Sequence, residues 1–142
     1  MDRKTLADGL TASAQLEIAD FAELARQGVT LVINNRPDSE KLGQLSAAQG
    51  KQAAEKVGLA YRHIPVTIST LRTEDIDQFG RAVAAAIGPV HAHCALGHRS
   101  ATLWVLSQIR CGAMTRPDAV RWGQQHQVDL ADGSAWLDRQ PT

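Results

Sequence analysis

Short apolar and β-branched runs alternate along this chain with longer segments of helical period, and that alternation limits its fold more than any other feature. "VTLVIN" (29–34), "LAYRHIPV" (59–66) and "PVHAHC" (89–94) read as strands. The first and last are nearly continuous in apolar character, as buried parallel strands tend to be. "EIADFAELARQG" (17–28) sets Ile18, Phe21, Ala22, Leu24 and Ala25 on one helical face, with Gly28 as its stop. "SAAQGKQAAEKVG" (46–58) predicts a second helix, opened by Ser46 as N-cap and closed by Gly58. "TEDIDQFGRAVAAAIG" (73–88) predicts a third, capped by Thr73, with Glu74 and Asp75 in its first turn. A fourth is expected over about 100–110, and "TRPDAVRWGQQ" begins a fifth with Pro117 early in it. An order βαβαβαβα predicts an α/β layer fold with a largely parallel sheet, whose ligand site lies at the C-terminal strand ends.

The 142 residues, 44% of them hydrophobic and without a break in composition, predict a single domain over 1–142. Fifteen Lys and Arg balance fifteen Asp and Glu, so no global charge draws the chain to nucleic acid or to anionic lipid. The tryptophans Trp104, Trp122 and Trp136 follow no pattern that would make a stacking platform for bases, and read as packing. No apolar run approaches the roughly 20 residues of a membrane span, and "MDRKTLADGL" lacks the apolar core of a signal peptide. A cytoplasmic address is expected, with no membrane or nucleic-acid partner. Two cysteines, Cys94 and Cys111, are too few for a disulfide framework.

Cys94 sits where the third strand gives way to a helix. In "CALGHRS" the backbone amides of Ala95, Leu96, Gly97, His98 and Arg99 can curl toward a common centre, Gly97 can take a positive φ, and Ser100 opens the next helix. Such a loop is an anion nest. Its amides, the positive helix end and Arg99 favour a thiolate nucleophile at Cys94 over a small buried hydrophobe, with Arg99 and Ser100 as the candidate catalytic residues beside the thiol. His93 is expected to anchor the loop by hydrogen bonds. His91, His93, Cys94 and His98 form a conceivable zinc set, yet His91 and His93 share one strand face while Cys94 points to the other, so no metal is expected. No cofactor is expected either. In "NNRPD", Arg36 and Asp38 follow a strand at the same sheet edge. They either line the pocket, with Arg36 adding positive charge, or form only a turn with a local ion pair. His63, alternating with Tyr61, reads as structural. Cys111 reads as a packed thiol, with resolution of an oxidised Cys94 as the alternative.

"HCALGHRS" resembles the catalytic loop shared in outline by cysteine-dependent phosphatases and rhodanese-like sulfurtransferases. Together with "VINNRPDSE", "GLAYRHIPV", "EDIDQFGRAVA" and "GPVHAHCALGHRSATLW", it makes nearly the whole chain similar to a small bacterial phosphatase-like domain that also occurs fused to β-lactamase-like hydrolases. Members are labelled phosphatase or sulfurtransferase. The resemblance implies a dual-specificity-phosphatase-like three-layer α/β fold with a central, largely parallel sheet flanked by helices. It also implies Cys94 as nucleophile, Arg99 as anion binder, and a β-lactamase-like hydrolase as a partner.

Two features bear on the reaction. Four residues separate Cys94 from Arg99, where the resembling phosphatase loops place five, and the tighter ring suits a single terminal sulfur better than a phosphoryl group. Those phosphatases also carry an aspartate on the loop before the long helix, as general acid. Here that loop reads "PVTISTLRTED", with Thr67, Ser69 and Thr70 and no carboxylate before Glu74 and Asp75. Sulfur transfer needs no such acid, because a thiolate is already a competent leaving group. The sequence therefore predicts transfer of sulfane sulfur from a small anionic donor through a Cys94 persulfide. The alternatives are hydrolysis of a phosphorylated substrate through phosphocysteine, and an oxyanion-binding module without turnover.

Overall fold

A computed structural model describes residues 1–141. Its sheet has five strands: β1 (Lys4–Ala7), β2 (Leu10–Ser13), β3 (Leu31–Asn34), β4 (Ala60–His63) and β5 (Val90–His93). They lie in the order β1-β2-β5-β3-β4; β1 runs antiparallel to β2 and every other pairing is parallel. Six helices accompany them: α1 (Ile18–Arg26), α2 (Ala47–Lys56), α3 (Thr73–Ala85), α4 (His98–Arg110), α5 (Arg116–His126) and α6 (Ala131–Asp138).

Strand alternation divides the core into two layers around the sheet. Val32 points to one face, where it packs with Phe21 and Leu24 of α1 and Ala53 and Ala54 of α2. Leu31, Ile33, Val90 and Ala92 point to the other, against Ile76 and Phe79 of α3 and Leu103 and Leu106 of α4. Trp122 of α5 and Trp136 of α6 close that second layer. The result is the predicted three-layer α/β architecture with a mostly parallel sheet. No helix among the described residues is long and apolar enough to cross a membrane.

The element order departs from prediction at both ends. The chain opens with a β1–β2 hairpin and follows β5 with three helices, so the order is ββαβαβαβααα rather than βαβαβαβα. β4 covers only Ala60–His63, although Ile64 and Val66 extend its line by donating to the carbonyls of Asn34 and Asn35. Ser46 caps α2 as expected, accepting from Gln49 N at 3.1 Å. Thr73 does not cap α3; Arg72 occupies that place, with its amide donating to Asp75 Oδ2 at 3.1 Å. α4 starts at His98, so Ser100 lies inside the first turn instead of opening the helix.

Candidate active site

The site grows from the C-terminal ends of β3, β4 and β5, which lie side by side with Asn34 in register with both His63 and His93. Beyond the strands the backbone stays laced. Asn35 N donates to His93 O at 2.7 Å, and Val66 N to Asn35 O at 3.1 Å. The buried Asn35 side chain joins two of the edges, donating to Ile64 O at 3.0 Å while accepting from Ser100 Oγ at 2.8 Å. Three loops are thereby held to one rim before any ligand arrives.

Cys94 follows β5 and is 1% exposed. The chain then turns through Ala95 and Leu96 to Gly97, whose φ of 100° makes it the left-handed N-cap of α4. A side chain resists that φ. Gly97 N donates to Cys94 Sγ at 3.0 Å, so the sulfur faces the amide that begins the helix. Gln15 N donates to Ala95 O at 3.2 Å and ties the loop to the end of β2. His93 is buried, with Nδ1 3.3 Å from Cys94 O, and burial drives its ring down to about 4, which keeps it neutral at neutral pH. His98 and Leu96 are exposed at the loop's rim.

Arg99 projects from the first turn of α4 and is held at both ends of its fork. Nη1 donates to Glu40 Oε2 at 2.7 Å and to Val66 O at 3.0 Å; Nη2 donates to Glu40 Oε1 at 2.8 Å. Glu40, and beyond it the Cys94 sulfur, raise the Arg99 pKa further above its already high ordinary value. The buried Arg36 donates to the same carboxylate, from Nε to Glu40 Oε1 at 3.0 Å, and to Gln15 Oε1 at 3.1 Å. Arg99, with Arg36 behind it, holds the Glu40 carboxyl down to about 2.

Three expectations are corrected here. Asp38 is exposed and accepts from Ala47 N at 2.8 Å at the start of α2; Arg36 pairs with Glu40, not with Asp38. Ser100 is wholly buried and spends its hydroxyl on Asn35, not on the thiol. Cys111 is exposed at the far end of α4, about 20 Å along the helix from the loop, and is neither packed nor able to resolve Cys94 directly. His63 has a structural bond, Nε2 to Arg36 O at 2.8 Å. His91 lies between Thr11 Oγ1 at 2.7 Å and Ser13 Oγ at 2.8 Å on the α1–α2 side of the sheet, and takes no part in the pocket.

The cavity over the thiol, about 330 Å³, is lined by Cys94, Ala95, Leu96, His98 and Arg99 from the loop and α4, by Thr67 and Ile68 after β4, and by Glu40 and Asp132. The two carboxylates are the residues that sequence reasoning missed. Glu40 stands four residues after Arg36, a spacing that is suggestive only once both are known to share a loop. Asp132 comes from α6, a helix too short and too poorly patterned to announce itself. A larger groove of about 540 Å³ between α4, α5 and α6 carries no thiol and no ionisable side chain besides Arg116 and Arg121.

This arrangement can bind an anion, present a sulfur nucleophile to it and expose both to carboxylates. Known proteins resemble the chain in sequence and in fold. An Agrobacterium fabrum protein called beta-lactamase hydrolase-like protein is 43% identical over 131 residues, 92% of this chain. The chain spans 30% of the length of that relative. A solved structure from Neisseria meningitidis, described as a candidate phosphatase, is 31% identical with a TM-score of 0.82, covering 96% of this chain and 97% of that one. The P. aeruginosa protein TpbA, solved with phosphotyrosine, shares the fold with a TM-score of 0.73 at 17% identity, over 96% of this chain and 83% of that one. Residues 2–111 match the family described as "Beta-lactamase hydrolase-like protein, phosphatase-like domain", and the chain belongs to that family.

Proposed function

We propose that this domain hydrolyses phosphomonoesters through a phosphocysteine on Cys94. One observation carries the reading: a sulfur facing a helix-opening amide shares its cavity with the guanidinium of Arg99 and with two carboxylates, Glu40 and Asp132. The thiolate is the nucleophile, the loop amides and Arg99 take up the phosphoryl oxygens, and a carboxylate handles the leaving group's proton. The sequence argument against hydrolysis rested partly on the want of a carboxylate, and the cavity supplies two. The four-residue spacing between Cys94 and Arg99 favours a second reading, sulfane-sulfur transfer through a Cys94 persulfide. The partner proposed for the domain is a β-lactamase-like hydrolase; relatives of which this domain makes up 30% are called beta-lactamase hydrolase-like protein.

Intact-mass measurement after incubation with an aryl phosphate and, separately, with thiosulfate distinguishes the readings. A phosphoryl adduct with release of the phenol, absent in Cys94→Ser, is expected. A sulfur adduct alone would replace hydrolysis by sulfur transfer, and neither adduct nor turnover would leave an oxyanion-binding module.

A further inference from the structure

We propose that Asp132, delivered by α6, is the acid that protonates the leaving oxygen and then the base that activates water. The inference rests on the phosphatase reading above. The loop after β4 gives the cavity Thr67 and the apolar Ile68 and no carboxylate, and the Thr67 hydroxyl is bonded to Thr70 Oγ1 at 2.5 Å. Asp75, the nearest buried carboxylate beyond that loop, is engaged at the start of α3 by the amide and guanidinium of Arg72. Of the two cavity carboxylates, Glu40 is clasped by Arg99 and Arg36 and stays ionised. Asp132 has no hydrogen-bonded or ion-paired side-chain partner among the described residues, so no clasp holds its carboxyl away from a leaving group in the cavity.

Its position is determined by packing. Thr102 stands one turn after Arg99 on α4, and therefore on the same side of that helix. α6 lies against that side through Gly133: a Cβ there would come 3.1 Å from Thr102 Cγ2, tighter than ordinary contact, so glycine lets the two helices approach closely. Three residues on, the buried Trp136 donates from Nε1 to Leu71 O at 3.0 Å, directly after the 3-10 turn Ile68–Thr70 that forms another cavity wall. α6 is thus fastened to both the helix that bears Arg99 and the segment that bears Ile68, and it brings Asp132 to the wall of the cavity that Cys94 also lines.

In the first step Cys94 Sγ attacks phosphorus, the P–O bond to the leaving group breaks, and that oxygen takes the Asp132 proton to depart as an alcohol or phenol. In the second, the Asp132 carboxylate takes a proton from water as the water oxygen attacks phosphocysteine. The S–P bond breaks, and phosphate, thiolate and protonated Asp132 are restored.

The test compares kcat/KM for phenyl phosphate and for 4-nitrophenyl phosphate, whose leaving group departs readily without a proton. Asp132→Asn should lower the phenyl phosphate value by about 10²–10⁴-fold and lower the nitrophenyl value much less. Asp132→Glu should recover part of the loss. Gly133→Ala, which crowds α6 against Thr102 of α4 and keeps the carboxylate, should show the same split between esters in smaller degree, a pattern that mere loss of stability would not produce. Equal effects on both esters, or none, in Asp132→Asn would overturn the assignment while the phosphatase reading stands. A wild-type protein that hydrolyses neither ester would overturn the phosphatase reading, and this inference with it.

Discussion

Arg99 gives both terminal nitrogens to the two oxygens of Glu40, at 2.7 and 2.8 Å, across 59 residues of sequence. The contact joins the loop after β3 to the start of α4. It fixes a guanidinium that an unpaired arginine would let wander, at the cavity that Cys94 also lines. Arg36, 8% exposed, leans on the same carboxylate. Glu40→Gln keeps the shape and removes the charge that both arginines share. It should cost about 1–2 kcal/mol in urea unfolding and about tenfold in kcat/KM for an aryl phosphate, through misalignment of Arg99. Unchanged kinetics with reduced stability would make Glu40 a structural clasp only.

Arg99→Lys tests the fork itself. Lysine keeps the charge and can neither span both oxygens of Glu40 nor bind two oxygens of an anion side by side. The inhibition constant of inorganic phosphate should rise by about tenfold or more, and kcat/KM should fall with it. An unaltered phosphate affinity would show that the loop amides alone hold the anion.

The three central strands, the helices between them and the Cys94 loop were legible because each carries a local signal: β-branched runs, a 3.6-residue apolar period, capping residues, a cysteine and a glycine at a strand–helix junction. The β1–β2 hairpin was overlooked because its four-residue strands, KTLA and LTAS, bury only Leu6, Leu10, Ala12 and Ser13. The Asp8-Gly9 pair between them was the available clue. α6 was overlooked because its eight residues include a glycine and bury only Gly133 and Trp136. With it went Asp132, and Glu40 was missed for a related reason. A carboxylate recruited by Arg99 from 59 residues away belongs to the tertiary fold, and no period or spacing along the chain encodes it.

Acid should destabilise the fold through two buried rings. Burial drives His91 down to about 3 and His93 down to about 4, against an ordinary value of 6.5. Ser13 Oγ gives its hydrogen to Ala14 O, so His91 Nε2 donates to Ser13 and its unprotonated Nδ1 accepts from Thr11, a neutral ring with both nitrogens satisfied. Between the folded and unfolded values the unfolded chain binds more protons, so stability falls as pH drops through 6.5. Each ring adds a slope of up to about 1.4 kcal/mol per pH unit until its folded value is reached. Above neutrality neither contributes. Glu40, held down to about 2 from 4.5, acts in a lower window, where its stabilising pairing is lost as pH falls from 4.5 toward 2. Urea midpoints should drop steeply from pH 6.5 to 4, and His91→Gln should remove part of that slope; a flat midpoint over this range would contradict the neutral buried rings.

Gly97→Ala should separate the loop's geometry from its charge. At a φ of 100° an alanine is strained by about 1–2 kcal/mol, and its Cβ would stand 3.3 Å from Ser13 O, backbone that cannot swing aside. The variant must either accept the strain or shift the turn between Cys94 and α4. Shifting the turn withdraws the Gly97 amide from Cys94 Sγ, now 3.0 Å away, and rotates the neighbouring amides that would meet the phosphoryl oxygens. No charged residue changes, and Arg99 keeps Glu40 as its anchor from the other side of the cavity. Stability should therefore fall by about 1–2 kcal/mol, while kcat/KM falls by more than tenfold because sulfur and anion cradle are displaced together. Iodoacetamide should also modify Cys94 more slowly in the variant once the amide no longer supports the thiolate. Full activity in a destabilised Gly97→Ala protein would mean that the amide at the sulfur contributes nothing to the chemistry.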